Sequence, residues 1–169
     1  MKTIVSIDFG GVIAEKTRGS ASPDLIPQMP EVSGALDGVR KLVRTFGPEG
    51  VWIVSRASDE ARPRILDWLE RHGVIGPEFD AVPRHQVRFC YERAEKAGIL
   101  SEIGASAHVD DQHEVFYAPG APQRMLRFLF RVSREALHDG RLSAVPRLFL
   151  VTEWPELIRT LEYEVPLTC

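Results

Sequence analysis

Only two of the 169 residues are cysteine, Cys90 inside an apolar run and Cys169 at the far end. Two thiols so placed form neither a disulfide framework nor a paired metal-ligand spacing, and reduced thiols in a cytoplasmic protein are the expectation. An excess of positive charge is also missing. The 21 basic and 24 acidic residues leave a net charge of −3, so a nucleic-acid partner has no global electrostatic support and would need local residues. No apolar stretch approaches the roughly 20 residues that cross a bilayer, and the run before Asp8 is too short and too soon interrupted for a signal peptide. Neither export nor membrane insertion is expected. Gly10 and Gly11 are not part of a G-x-G-x-x-G pattern, which leaves a dinucleotide fingerprint unsupported. Internal repeats, low-complexity tracts and interdomain linkers are lacking too.

What is present is the composition of a soluble globular chain, 44% hydrophobic and 27% charged. The length fits one domain over residues 1–169. Short β-branched runs alternate with longer segments of helical period, which predicts an α/β domain around a mostly parallel sheet. Strands are expected at 3–8, 51–54, 86–90, 105–109, 125–130 and 147–151, the last of open orientation. Helices are expected at 32–46, from a Ser58 cap to about Gly73, at 91–103, and from Trp154-Pro155 onward. Residues 15–30, with Gly19, Ser20, Ser22 and three prolines, read as a loop.

Parallel strands joined by right-handed crossovers all finish at one edge of the sheet, and ligands bind there. The strand-final polar residues therefore belong together: Asp8, Ser55, and Asp110 with Asp111. Lys96 lies on the helix before the fourth strand. Each has a plainer reading. Asp8 before two glycines can end a strand and open a turn. Asp110 or Asp111 can cap a short helix near Gln112. Ser55 can be a buried hydroxyl bonded to backbone, and Lys96 a solvated helical lysine, with Arg84, Arg88 or Arg93 supplying the charge instead. His108 and His113 flank the acidic pair and raise transition-metal binding as a further reading, with His108 expected to face into the sheet. Cys90 and the three tryptophans read as packing.

In order and spacing these residues resemble the haloacid dehalogenase-like hydrolase superfamily, mostly Mg2+-dependent phosphatases. Residues 4–13, a hydrophobic strand into Asp8-Phe9-Gly10-Gly11, look like its first motif. Residues 51–55, ending in Ser55, look like the second. Lys96 is similar to the third-motif lysine, and Asp110-Asp111 to the fourth-motif acidic pair. The stretches 93–100 and 109–115 are especially similar to the phosphatase modules of polynucleotide kinases, which brings a phosphorylated polynucleotide or nucleotide into view. The likeness implies a three-layer Rossmann-like fold, Asp8 as the nucleophile that forms an aspartyl-phosphate, and Ser55 bonded to a phosphoryl oxygen. It also implies Lys96 as charge balance and Mg2+ held by Asp8, the Gly10 carbonyl, Asp110 and nearby Asp111.

One departure matters for chemistry. The family usually places a second aspartate two residues after the nucleophile, where it protonates the leaving group; here that residue is Gly10. Such a general acid is worth on the order of 10²–10⁴ in rate. The sequence therefore implies an impaired or specialised phosphohydrolase, or a non-catalytic phosphate- or metal-binding module of the same fold. Carbon–halogen or carbon–phosphorus hydrolysis, which needs no such acid, normally goes with a cap domain. The connections after the first strand and the second helix, about 20 and about a dozen residues, leave no room for a folded cap. An open site is the expectation, which suits a large phosphorylated substrate, a partner that supplies the lid, or a surface used for binding.

Overall fold

The computed structural model describes residues 2–16 and 22–165; Gly19 and Ser20 of the expected loop, and Cys169, lie outside them. Six strands, β1 (Val5–Ile7), β2 (Val51–Arg56), β3 (Val87–Cys90), β4 (Ala107–Asp110), β5 (Leu126–Phe130) and β6 (Leu148–Val151), form one sheet in the order β3-β2-β1-β4-β5-β6. Every pairing is parallel, and β6, whose direction the sequence left open, runs with the rest. The expected strand positions hold to within two residues: β2 runs on to Arg56 and β4 to Asp110, and other ends are trimmed. The helices are α1 (Ala35–Phe46), α2 (Ala61–Arg71), α3 (Arg93–Glu102), a single turn α4 (Arg134–Leu137) and α5 (Trp154–Glu164). Ser58 Oγ accepts from the Ala61 amide, as a helix-opening serine should.

The two faces of the sheet follow from the two-residue period of its strands. Val5, Ile7, Val51, Ile53, Val109 and Phe128 point to one face and join the buried residues of α1, α2 and α5 in the larger core. Val54 and Trp52 point to the other, where they meet Leu100 and Ile99 of α3 and Val115. Both faces are covered, which is why the central strands are apolar almost throughout. Two indoles tie the layers to the first connection. Trp154 Nε1 donates to the Val12 carbonyl at 2.8 Å, and Trp68 Nε1 donates to the Met29 carbonyl at 2.9 Å. Both rings are fully buried, so the packing role expected of them is what they have.

Among the described residues, the connection after β1 holds a turn and a 3-10 segment (Pro23–Gln28), and the one between α2 and β3 holds a 3-10 turn (Arg84–Gln86). Neither contains a cap-sized unit. Among the described residues no helix is long and apolar enough to cross a membrane.

Candidate active site

The strand order reverses direction at β1, whose neighbours β2 and β4 lead to opposite halves of the sheet. A crevice opens at the carboxyl ends of strands at such a point. Asp8 follows β1, Ser55 lies near the end of β2, and Asp110 ends β4, so the sheet itself brings them to one place. Ser6, Asp8, His108 and Asp110 share the parity that points to the α3 face. From that face Lys96 reaches in. The residue is 2% exposed, and its ammonium lies 2.9 Å from Asp8 Oδ1 and 2.5 Å from Asp110 Oδ2. The solvated-lysine reading is thereby excluded. Arg84 pairs with Glu70 and Arg88 with Glu102, away from this point.

Asp110 is fully buried and uses both oxygens. Oδ1 accepts from the Gln112 amide at 2.8 Å, and Oδ2 takes the Lys96 ammonium and lies 3.2 Å from His108 Nε2. A single aspartate thus performs both the turn-capping and the charged role. Behind it, Ser6 Oγ lies 2.8 Å from His108 Nδ1, because Ser6 and His108 are register partners on β1 and β4. His108 faces into the sheet as expected, and His113 lies instead beside Glu114 and Asp139. Burial alone would favour neutral groups in this cluster, but mutual attraction outweighs it. Asp110 and Asp8 hold Lys96 above the usual lysine range, and the Lys96 charge with the His108 hydrogen bond holds Asp110 below the usual carboxylate range. Burial of Asp111 acts the other way and raises its carboxyl, against the pull of Lys16.

Lys16 had no signal in the sequence. It sits in an irregular connection with no periodicity, 95 residues from the acid it binds. Its ammonium donates to both oxygens of Asp111, at 2.8 and 2.6 Å. The Asp111 carboxylate is seated against Gly11, where φ is +82° and a Cβ would collide with it, so this glycine is required twice over. The turn from Phe9 to Ala14 is closed by Gly11 N–H to Ala14 carbonyl and Ile13 N–H to Phe9 carbonyl bonds. It brings the Gly10 backbone into the cleft.

Oxygens of Asp8, Asp110 and Asp111 lie within 4.8 Å of one another. Asp8 Oδ1 is buried and, although Lys96 is near, is not aligned with any donor for a hydrogen bond among the described residues. Three carboxylates against two ammonium groups, with one carboxylate oxygen lacking a donor, suit a hard divalent cation such as Mg2+. The cleft above them has a volume of about 650 Å³. Ser55 lines it, and its hydroxyl makes no hydrogen bond among the described residues, so the backbone-bonded reading does not hold. Cys90 is buried and its thiol is pushed up to about 11 by that burial, which leaves it inert.

Solved structures share this architecture. D,D-heptose 1,7-bisphosphate phosphatase from B. bronchiseptica, complexed with magnesium and phosphate, superposes with a TM-score of 0.60 over 98% of this chain and 100% of its own, at 16% identity. This chain has the haloacid dehalogenase-like fold. A haloacid dehalogenase-like hydrolase from Burkholderia xenovorans LB400 gives 0.60 at 13% identity, over 93% of this chain and 97% of its own. D,D-heptose 1,7-bisphosphate phosphatase from Burkholderia thailandensis gives 0.58 at 13% identity, over 98% and 100%. No protein-family model matches the sequence, and neither does any curated protein. At these identities the likeness establishes the fold, and function has to be argued from the site.

Proposed function

We propose that this chain is a Mg2+-dependent phosphohydrolase that works through an aspartyl-phosphate on Asp8, specialised or slowed by glycine at position 10. The observation that carries the reading is the convergence of Asp8, Asp110 and Asp111, the first two on buried Lys96, in a cleft that Ser55 also lines. A relative in fold that is complexed with magnesium and phosphate lends support to both the ion and the phosphorylated substrate.

Asp8, Asp110 and Asp111, with the Gly10 carbonyl, would hold the metal. When bound, Mg2+ neutralises charge on the transferring phosphoryl group. An Asp8 oxygen attacks phosphorus while the bond to the leaving oxygen breaks; water then attacks the aspartyl-phosphate, and the bond from phosphorus to Asp8 breaks in turn. Lys96, 2.9 Å from Asp8 Oδ1, offsets negative charge at Asp8 and holds its carboxylate in place. The Ser55 hydroxyl donates to a phosphoryl oxygen. No carboxyl stands at position 10 to protonate the leaving oxygen, so that proton comes from solvent or the leaving group departs as a stable anion. The reading takes the chain as one cytoplasmic domain with an open, capless site.

Phosphate release from para-nitrophenyl phosphate or acetyl phosphate tests it. Turnover by the wild type should need Mg2+ and vanish in Asp8→Asn. Calorimetric titration of Mg2+ should show weaker binding in Asp110→Asn; equal affinity removes the metal assignment.

Gly10 and the Lys16–Asp111 pair favour a second reading, a phosphate- or metal-binding module without turnover. It prevails if the wild type is no faster than Asp8→Asn while Gly10→Asp gains activity.

A further inference from the structure

The cleft carries more positive charge than its chemistry uses. Lys96 is committed to Asp8 and Asp110, Lys16 to Asp111, and Arg62 to Asp59 and the Tyr91 ring. Arg56 is different. It follows Ser55 directly at the end of β2, and its exposed side chain makes no hydrogen bond or ion pair among the described residues. Among the described residues the side chain of Arg93, the first residue of α3, is paired only with Glu114 at 3.6 Å, beyond hydrogen-bond distance, and both side chains are partly exposed.

These two arginines also occupy a particular place. A second depression, of about 520 Å³, adjoins the cleft, and Arg56, Glu92 and Arg93 line both. The floor of the second depression adds Tyr117 and Arg141, the latter already held by Asp139. The contribution of residues 23–29 and α2 to the cleft wall is instead apolar, from Pro23, Ile26, Met29 and Ile65. A ligand with its phosphoryl group at Asp8 would therefore meet hydrocarbon on one side and, on the other, the unpaired Arg56 guanidinium beside Arg93, whose single ion pair to Glu114 is long and partly exposed. Guanidinium groups bind phosphate oxygens in pairs and do not lose their charge.

We propose that Arg56 and Arg93 form a second anion subsite, and that the substrate is a small phosphomonoester bearing a second phosphate, held there while the first lies at Asp8. This rests on the phosphohydrolase reading for the role of the first phosphate. The acidic neighbours Glu92 and Glu114 and the net charge of −3 favour a compact ligand over a polynucleotide, which needs a continuous basic track.

The test compares binding of glucose 6-phosphate and glucose 1,6-bisphosphate to the full chain carrying Asp8→Asn, which cannot consume them, in the presence of Mg2+. The bisphosphate should bind about tenfold more tightly, and adding Arg56→Ala or Arg93→Ala should remove most of that ratio, with Arg56→Lys restoring part of it. Equal affinities, or a ratio indifferent to both arginines, overturn the subsite. A 3′-phosphorylated oligonucleotide that binds more tightly than the bisphosphate, with both arginines replaced, overturns it as well. Turnover of para-nitrophenyl phosphate by the wild type is measured alongside. An arginine-dependent preference without turnover keeps the subsite and defeats the phosphohydrolase reading; turnover without the preference does the reverse.

Discussion

Lys16 passes over Gly10 so closely that its Cε lies 3.3 Å from where a Cβ at position 10 would stand. The place of the usual acid is thus crossed by a hydrocarbon chain whose ammonium is held by Asp111. Introducing the carboxyl requires Lys16 to give way by a few tenths of an ångström, which a partly exposed lysine can do. Gly10→Asp should therefore fold and should raise kcat on an alkyl phosphate by on the order of 10². Para-nitrophenyl phosphate, whose leaving group is stable as an anion, should gain much less. Steady-state kinetics on both substrates check this, and equal gains would argue against a missing general acid.

Gly11→Ala should be harmful for two separable reasons. The left-handed backbone costs about 1 kcal/mol or more for any residue with a Cβ, and that Cβ meets the Asp111 carboxylate. Urea unfolding should show the first effect. Weaker Mg2+ binding by calorimetry, beyond what Asp111→Asn alone produces, should show that the turn as well as the carboxylate is displaced.

Asp8, Ser55 and Asp110 were legible because a parallel sheet delivers strand-final residues to one edge, so position in the pattern carries information about neighbours in space. Lys96 was less so. A helical lysine is normally solvated, and only the packing of α3 on the sheet face that carries Asp8 and Asp110 shows why this one is buried. Lys16 and Arg56 had no pattern to reveal them. Lys16 lies in an irregular connection, and Arg56 is notable for a side chain without a partner among the described residues, which no sequence displays. The direction of β6 was open because its short apolar run is the same whichever way it pairs; its parallel course follows from register with β5.

Gly38 should be intolerant of alanine although it lies within a helix, where alanine ordinarily gains about 1 kcal/mol. A Cβ there would enter the Trp154 ring, which lets α1 and α5 approach closely. The ring cannot retreat, since its Nε1 is bonded to the Val12 carbonyl. Overpacking costs about 1–3 kcal/mol, so Gly38→Ala should lower stability instead of raising it. Thermal unfolding decides the sign, and restored stability in Gly38→Ala with Trp154→Phe would not be expected, because the hydrogen bond is lost with the indole.

Lys96→Met should be the most destabilising of these changes, because it strands two buried carboxylates. Breaking a buried pair by removing one partner costs about 3–5 kcal/mol. Its pH dependence distinguishes this cause from poor packing. In the wild type the Asp110 pKa is depressed on folding, so its contribution is complete above the ordinary carboxylate value of about 4 and is lost as pH falls through the lower folded value. The Lys96 pKa is raised, so its contribution is complete below about pH 10 and fades only as pH rises through the folded value. Wild-type stability from this cluster should hence be level across the neutral range. In Lys96→Met the burial of Asp110 is no longer offset by its cation, so the variant gains stability as pH falls from 8 toward 5 and the gap to the wild type narrows. Urea midpoints in chelator measure this, and a gap independent of pH would show that the loss is one of packing. Adding Mg2+ at pH 8 should stabilise Lys96→Met more than the wild type, since the same carboxylates then recover a cation.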